Sequence, residues 1–174
     1  MAALSQPHPN IPWQRLTTPY GRGTDIPRLI ETGQFESLAE LAEHQGTLWQ
    51  VTPWVLLELL RSLEGREPRE AASGEIQVYL NVASALSGQD LGSEKPVASM
   101  GELLNETYLW PEDEEEDELE WERGEPIGYD PEAFFSYYYY SDSLLKQARP
   151  LFEEIMHLNS DLAPEVQELL ELLK

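Results

Sequence analysis

Acidic side chains are concentrated in one short segment, the acidic run of residues 112–122, where nine of the eleven residues are Asp or Glu. Trp110 precedes this run, and Leu119 and Trp121 lie within it. Tryptophan supplies anchoring contact area at protein–protein interfaces, and carboxylates beside it supply charge. One interpretation is a mimic of a polyanion that occupies a basic cleft of another protein, such as a nuclease active site. The alternative is a solvated charged loop without specific contacts.

Four consecutive tyrosines, residues 137–140, lie in a predicted helix and point in different directions within about one turn. We expect two or three of them to pack in the core. The rest would cover the loop that holds the acidic run. The alternative is that one or two face outward at the same interface as the acidic run, because tyrosine adds rigid contact area at low entropic cost. The predicted partner-binding residues are Trp110, Glu112, Asp113, Glu114, Glu115, Glu116, Asp117, Glu118, Glu120, Trp121, Glu122, Tyr138 and Tyr139.

The residue types that support catalysis or metal binding show no productive spacing. His8, His44 and His157 share no ligand spacing, the chain has no cysteine, and the acidic run lacks the alternation and glycine of a calcium loop. No Ser-His-Asp order, phosphate loop or dinucleotide fingerprint is present. The chain has many glutamates that could act in acid–base catalysis, but their number alone does not indicate a catalytic site. We therefore expect no catalytic residue, no metal site, no cofactor and no enzyme activity.

The charge balance favours a basic protein as the partner. The chain has 33 acidic and 11 Lys or Arg residues, a net charge of −22, and residues 88–174 hold 23 of the acids. Nucleic acid and anionic membranes are disfavoured as ligands, because both recruit Lys and Arg. No apolar stretch is long enough to span a membrane, and the first ten residues lack a secretory signal pattern. We therefore expect a cytoplasmic protein.

Length and apolar spacing favour one all-α domain over residues 1–174. Residues 1–23 are rich in Pro and Gly and predict an extended arm. Residues 109–130 break every periodic pattern and predict an acidic loop. The rest predicts about seven helices, one of them over residues 75–87 with a strand at residues 76–80 as its alternative.

Two positions around residue 50 have the chemistry of helix ends. Gly46 is suited to the left-handed position after a helix over residues 35–45, and His44 to capping its last carbonyls. Thr52 offers an N-cap oxygen directly before Pro53, ahead of a helix that is apolar on most of its circumference. That helix is expected to be sandwiched between neighbours.

Further helix ends are predicted in the second half. Ser99 and Glu102 have the spacing of a capping box at the start of a short helix over residues 99–108. Pro150 interrupts a helical apolar stripe, which predicts a kink or a new helix. Pro164 is expected to open the final helix.

The first half of the chain also carries a series of short motifs. They are Ile11-Pro12-Trp13, Pro19-Tyr20-Gly21, Thr24-Asp25-Ile26-Pro27, His44-Gln45-Gly46-Thr47-Leu48-Trp49 and the leucine-rich segment Thr52–Leu63. Over roughly residues 11–88 this series resembles bacterial HEAT-repeat-like proteins. The resemblance implies a short HEAT-like α-solenoid, whose stacked helix pairs leave a groove for another protein.

Proteins of this kind are often encoded beside secreted bacterial toxins and are suspected immunity proteins. The resemblance, together with the acidic run, leads us to expect an immunity (antitoxin-like) protein that binds and neutralises a cognate toxin with a basic surface. The alternative is a HEAT-like scaffold or regulatory module that recognises a peptide or subunit and has no connection with toxins.

Overall fold

The computed structural model describes residues 10–92, 94–110 and 131–174. In these ranges the chain is mostly helical, as its apolar periodicity predicts. The α-helices are α1 (Ile26–Glu31), α2 (Phe35–Ala42), α3 (Thr52–Glu64), α4 (Ser73–Leu86), α5 (Pro131–Gln147), α6 (Arg149–Leu158) and α7 (Ala163–Leu172). The strands, which the apolar spacing did not predict, are β1 (Thr17–Thr18), β2 (Gly21–Arg22), β3 (Glu43–His44) and β4 (Thr47–Leu48).

The described part of the N-terminal arm is folded back on itself rather than extended. β1 pairs antiparallel with β2, and Gly21 at the turn has φ +120°, a conformation that L side chains rarely adopt. Leu16 is fully buried and docks the arm on the core. The prediction of an extended arm is therefore wrong for residues 10–23, because a glycine after Tyr20 allows the chain to reverse; residues 1–9 lie outside the described residues.

A second hairpin replaces the predicted end of the helix over residues 35–45. α2 ends at Ala42, and the chain reverses at Gln45 (φ 52°) and Gly46 (φ 83°), two successive left-handed residues that suit a tight turn between antiparallel strands. His44 lies in β3 and does not cap the helix. Its predicted capping role is wrong, because residues 43–45 form the hairpin instead of the last turn of the predicted helix.

α3 is the buried helix that its composition predicts. Its buried residues are Thr52, Pro53, Trp54, Val55, Leu56, Leu57, Leu59, Leu60 and Leu63. Thr52 makes no N-cap bond: its Oγ1 accepts the Trp49 N–H at 2.8 Å and donates to the Ala42 carbonyl at 2.6 Å. The hydroxyl therefore ties the start of α3 to the end of α2 instead of capping its own helix.

α4 is a helix and not the alternative strand, and it occupies a central position. It packs against α2, α5 and α7, while α3 packs against α5 and α6 against α7. The buried apolar side chains of the described residues, apart from Trp110, form one cluster. In a solenoid each repeat contacts only its neighbours, so these contacts between distant elements do not establish the predicted solenoid.

The remaining predictions of helix ends have mixed outcomes. Two 3-10 turns, Met100–Leu104 and Glu106–Tyr108, replace the helix predicted over residues 99–108, and the Ser99 side chain makes no capping bond. Ser99 accepts the Glu102 N–H through its backbone carbonyl at 3.1 Å, which closes a tighter turn. Pro150 and Pro164 lie in the first turns of α6 and α7, as predicted, where a missing N–H costs no hydrogen bond.

Candidate functional site

The acidic run follows a segment that is held firmly against the N-terminal hairpin. Arg15 donates two hydrogen bonds to the Glu106 carboxylate, at 2.8 and 2.6 Å, and one from Nε to the Trp110 carbonyl at 2.7 Å. The hydrogen bonds from Arg15 lower the pKa of Glu106 from its usual range. Gln50 accepts the Thr17 N–H and donates to the Tyr108 carbonyl. The segment of residues 106–110 is therefore anchored by Arg15 and Gln50.

Trp110 itself belongs to this anchor. Its side chain is only 3% exposed, and the Arg22 guanidinium lies 5.4 Å from the centroid of its ring. A buried side chain offers a partner no surface, so Trp110 does not contribute to a contact face as we had expected. The other predicted residues before α5, Glu112, Asp113, Glu114, Glu115, Glu116, Asp117, Glu118, Glu120, Trp121 and Glu122, lie outside the described residues.

The tyrosine series divides between core and surface, as the helical geometry predicts. Tyr137 and Tyr138 are buried, and Tyr140 is half-buried with its hydroxyl donated to the Val97 carbonyl. Tyr138 Oη accepts the Leu48 N–H at 3.1 Å, and burial raises the pKa of this tyrosine above its ordinary value. Tyr138 therefore links α5 to β4 and is only 7% exposed, which leaves a partner little of its ring to contact, whereas Tyr139 is 38% exposed.

An open cleft of about 650 Å³ lies where α5 begins. Its walls come from the tip of the β3–β4 hairpin, the segment after α4 and the first turns of α5. The lining residues are Gly46, Thr47, Gln89, Asp90, Leu91, Glu94, Phe134, Phe135 and Tyr138. We call this site the aromatic cleft.

The aromatic cleft combines two chemistries that suit a cationic side chain. The Phe134 ring lies 5.2 Å from the Tyr138 ring and 6.3 Å from the Tyr137 ring, measured between centroids, so the aromatic wall is supported from behind. Asp90 and Glu94 also line the cleft and supply carboxylates. Aromatic faces attract Lys and Arg, and carboxylates accept their hydrogen bonds. The cleft can therefore hold a Lys or Arg side chain.

Tyr20 places a further aromatic ring on the surface beside this region. It occupies the tip of the β1–β2 hairpin, is 67% exposed, and meets the His44 ring edge-on at 5.6 Å. Sequence reasoning did not single out Tyr20, Phe134 and Phe135 as candidate contact residues. The Pro19-Tyr20-Gly21 sequence could have indicated that Tyr20 is exposed, since residues at the tip of a hairpin face solvent. No comparable sequence feature indicates Phe134 or Phe135.

A buried ionic network lies away from the cleft, where α3 meets α4. Glu75 is fully buried, and its Oε1 accepts hydrogen bonds from Arg66 at 2.6 Å and from the Tyr79 hydroxyl at 3.1 Å. Burial, and then the charge of Glu75, raise the pKa of Tyr79 well above its ordinary value. Sequence reasoning missed this network, because a Glu in the first turn of a helix ordinarily faces water.

The described residues contain no group of three His, Cys, Asp or Glu side chains arranged to hold a metal ion. In the same residues, no helix has the length and apolar character needed to cross a bilayer. Comparison of the chain with family models, with curated proteins and with solved structures returns no match. The resemblance to HEAT-repeat-like proteins therefore stays a prediction that depends on the motifs themselves.

Proposed function

We propose that this protein is an immunity protein that binds a basic protein toxin and neutralises it. The observation that carries the proposal is the aromatic cleft, whose described lining residues include the carboxylates of Asp90 and Glu94 and no Lys or Arg. Phe134 follows the last acid of the acidic run by twelve residues, so a charged segment and an aromatic cleft adjoin in the chain. The motifs over residues 11–88 point to the same class of protein.

The two parts of this contact surface do different work. The acidic run supplies long-range attraction, which accelerates the encounter with a positively charged partner and weakens as salt is added. The aromatic cleft supplies short-range contacts with desolvated side chains, which slow dissociation. Phe135 joins Tyr139, already predicted, as an aromatic anchor, and the two ring centroids lie 6.4 Å apart. The buried Trp110 is no longer proposed as an anchor. Trp121 and the acids of the acidic run remain proposed partner-binding residues.

The test uses the purified product of the gene adjacent to the one that encodes this chain. We expect a complex whose association rate falls about tenfold or more when NaCl is raised from about 50 to about 300 mM. We also expect the toxic activity of that product to disappear in the complex. Replacing Glu114, Glu115, Glu116 and Asp117 by Ser should slow association, and Phe135→Ala should speed dissociation.

The matched control replaces four exposed acids elsewhere, Glu64, Glu67, Glu168 and Glu171, by Ser. This variant loses the same charge and should retain most of the association rate. If both four-site variants associate equally and without salt dependence, the electrostatic part of the proposal is wrong. If the adjacent product binds but keeps its activity, the protein is a scaffold or regulatory module and not an immunity protein.

A further inference from the structure

A second groove, separate from the aromatic cleft, lies between α2 and α4. It encloses about 270 Å³ and takes apolar surface from Phe35 and Ala39 on α2. Gly74 also lines the groove, and an added Cβ there would lie 3.1 Å from the Phe35 Cβ. The glycine therefore allows α2 and α4 to approach while the Phe35 ring remains partly open to solvent. We call this site the α2–α4 groove.

Carboxylates line only one side of the α2–α4 groove. Glu36 and Glu40 are exposed and one helical turn apart on α2, and Glu43 follows at the start of β3. Glu43 accepts the Gly46 N–H at 2.6 Å, so the hairpin turn holds it in place. Glu36 and Glu40 have no ion-pair partner among the described residues. Two like charges on adjacent turns destabilise a helix, and Glu40 also lies near the negative end of the α2 dipole.

The α4 side of the groove is polar but neutral. Gln77 donates to Asn81 Oδ1 at 2.9 Å, so the two amides are ordered along the rim. This wall therefore leaves the charge of the three glutamates without compensation. The groove combines an apolar floor, one anionic rim and one amide rim.

We propose that the α2–α4 groove binds a basic amphipathic segment of the partner protein. An apolar side chain of that segment packs on Phe35 and Ala39, while Lys or Arg side chains one turn away reach Glu36 and Glu40. The inference rests on the proposed function, because the segment belongs to the same basic partner. Charge complementarity selects this occupant over a second copy of the chain, since a second copy brings a net charge of −22 and is repelled.

The experiment uses a synthetic fluorescein-labelled helical peptide that presents Leu and Lys on one face, with a scrambled peptide of identical composition as its control. Anisotropy titrations in about 150 mM NaCl, where long-range attraction is screened, compare the unchanged protein with Glu36→Gln/Glu40→Gln. The matched variant is Glu153→Gln/Glu154→Gln, which removes the same charge from exposed positions on α6. Amide NMR spectra locate the peptide.

We expect the amphipathic peptide to bind about tenfold more tightly than the scrambled one. Glu36→Gln/Glu40→Gln should abolish that difference, and the α6 variant should preserve it. Amide shifts should fall on residues 35–43 and 74–81. Equal binding of both peptides, equal effects of the two variants, shifts confined to other residues, or self-association of the chain through this groove would each overturn the inference.

The outcome separates this inference from the proposed function. If the peptide binds in the groove but the adjacent gene product forms no complex, the groove is supported and the immunity function is wrong. If the adjacent product is neutralised but the peptide fails to bind in the groove, the function is supported and the inference is overturned.

Discussion

At the scale of single residues, Glu75 shows how a charge is accommodated inside this protein. Burying an isolated carboxylate is costly, and the cost falls when the group is paired and hydrogen-bonded. Arg66 reaches Glu75 from the end of α3, and Tyr79 reaches it from the next turn of α4. The Tyr79 ring also packs on Phe152 with centroids 5.3 Å apart. The network therefore joins the α3–α4 connection to α6.

Tyr79→Phe tests this network through its pH dependence. The folded-state pKa of Tyr79 is raised above its unfolded value of 10.0, so its hydroxyl stabilises the fold below that pH and ceases to do so as pH rises through the folded pKa. We expect the variant to lose about 1–3 kcal/mol at neutral pH, the cost of a hydrogen bond to a charged group. Urea denaturation should show this deficit shrinking above pH 10.

The control for this prediction is Tyr20→Phe, a change at a residue that is 67% exposed. The difference in unfolding free energy between Tyr20→Phe and the unchanged protein should be small both at neutral pH and above pH 10. A Tyr79→Phe deficit that stays constant across the same pH range would contradict the linkage between the hydroxyl and alkaline stability.

At the scale of secondary-structure elements, the short β3–β4 hairpin organises the candidate surface. Its first residue, Glu43, lines the α2–α4 groove, and its tip, Gly46 and Thr47, lines the aromatic cleft. Leu48 in β4 is bonded to Tyr138 of α5. The β3–β4 hairpin therefore contributes to both proposed binding sites.

Gly46→Ala tests the hairpin turn. Gly46 has φ +83° and no heavy atom within 4 Å of an added Cβ, so the substitution causes backbone strain without a steric clash. We expect a loss of about 1–2 kcal/mol in unfolding free energy, the cost of the left-handed conformation for an L residue. Thermal denaturation measures the loss.

Gly88→Ala is the matched control for the turn. Gly88 also has open space around its added Cβ, but its φ lies outside the left-handed region. Alanine there should be neutral or stabilising by up to about 1 kcal/mol. Equal destabilisation by the two substitutions would show that Gly46 is not required for its conformation.

At the scale of the whole molecule, the net charge of −22 opposes the compact state. The buried apolar cluster, to which helices from both halves of the chain contribute, holds the fold together against that repulsion. A partner with positive charge relieves the repulsion on binding. Charge thus lowers the stability of the free protein while it favours the proposed complex.

Salt dependence of the melting temperature tests this balance. Raising NaCl from about 20 to about 300 mM shortens the Debye length several-fold and should stabilise the fold by about 1 kcal/mol, or roughly 2–4 °C in Tm. Glu153→Gln/Glu154→Gln should reduce the increase, because both exposed charges lie on α6. A Tm that falls with added salt would mean that ion pairs such as Arg15–Glu106 outweigh the net repulsion.

The candidate site was predicted only in part. The helical spacing correctly predicted that some of the four tyrosines lie in the core and some at the surface, because side-chain direction on a helix follows from its period. It could not show which direction meets the core, and so it assigned Tyr138 to the surface. Trp110 was placed in the contact face because it adjoins the acids, but Arg15 and Arg22, almost a hundred residues earlier, hold it inside.

Local physical chemistry in the sequence alone determined the mostly helical class, the buried character of α3, a break in the helix at Pro150, the helix start at Pro164 and the strongly acidic charge. These properties depend on apolar period, proline geometry and charge, which neighbouring residues specify. Tertiary structure alone decided the two hairpins, the burial of Trp110, Tyr138 and Glu75, and the two grooves on either side of the β3–β4 hairpin. Each of these depends on contacts between residues far apart in the chain, and only the packed core brings such residues together.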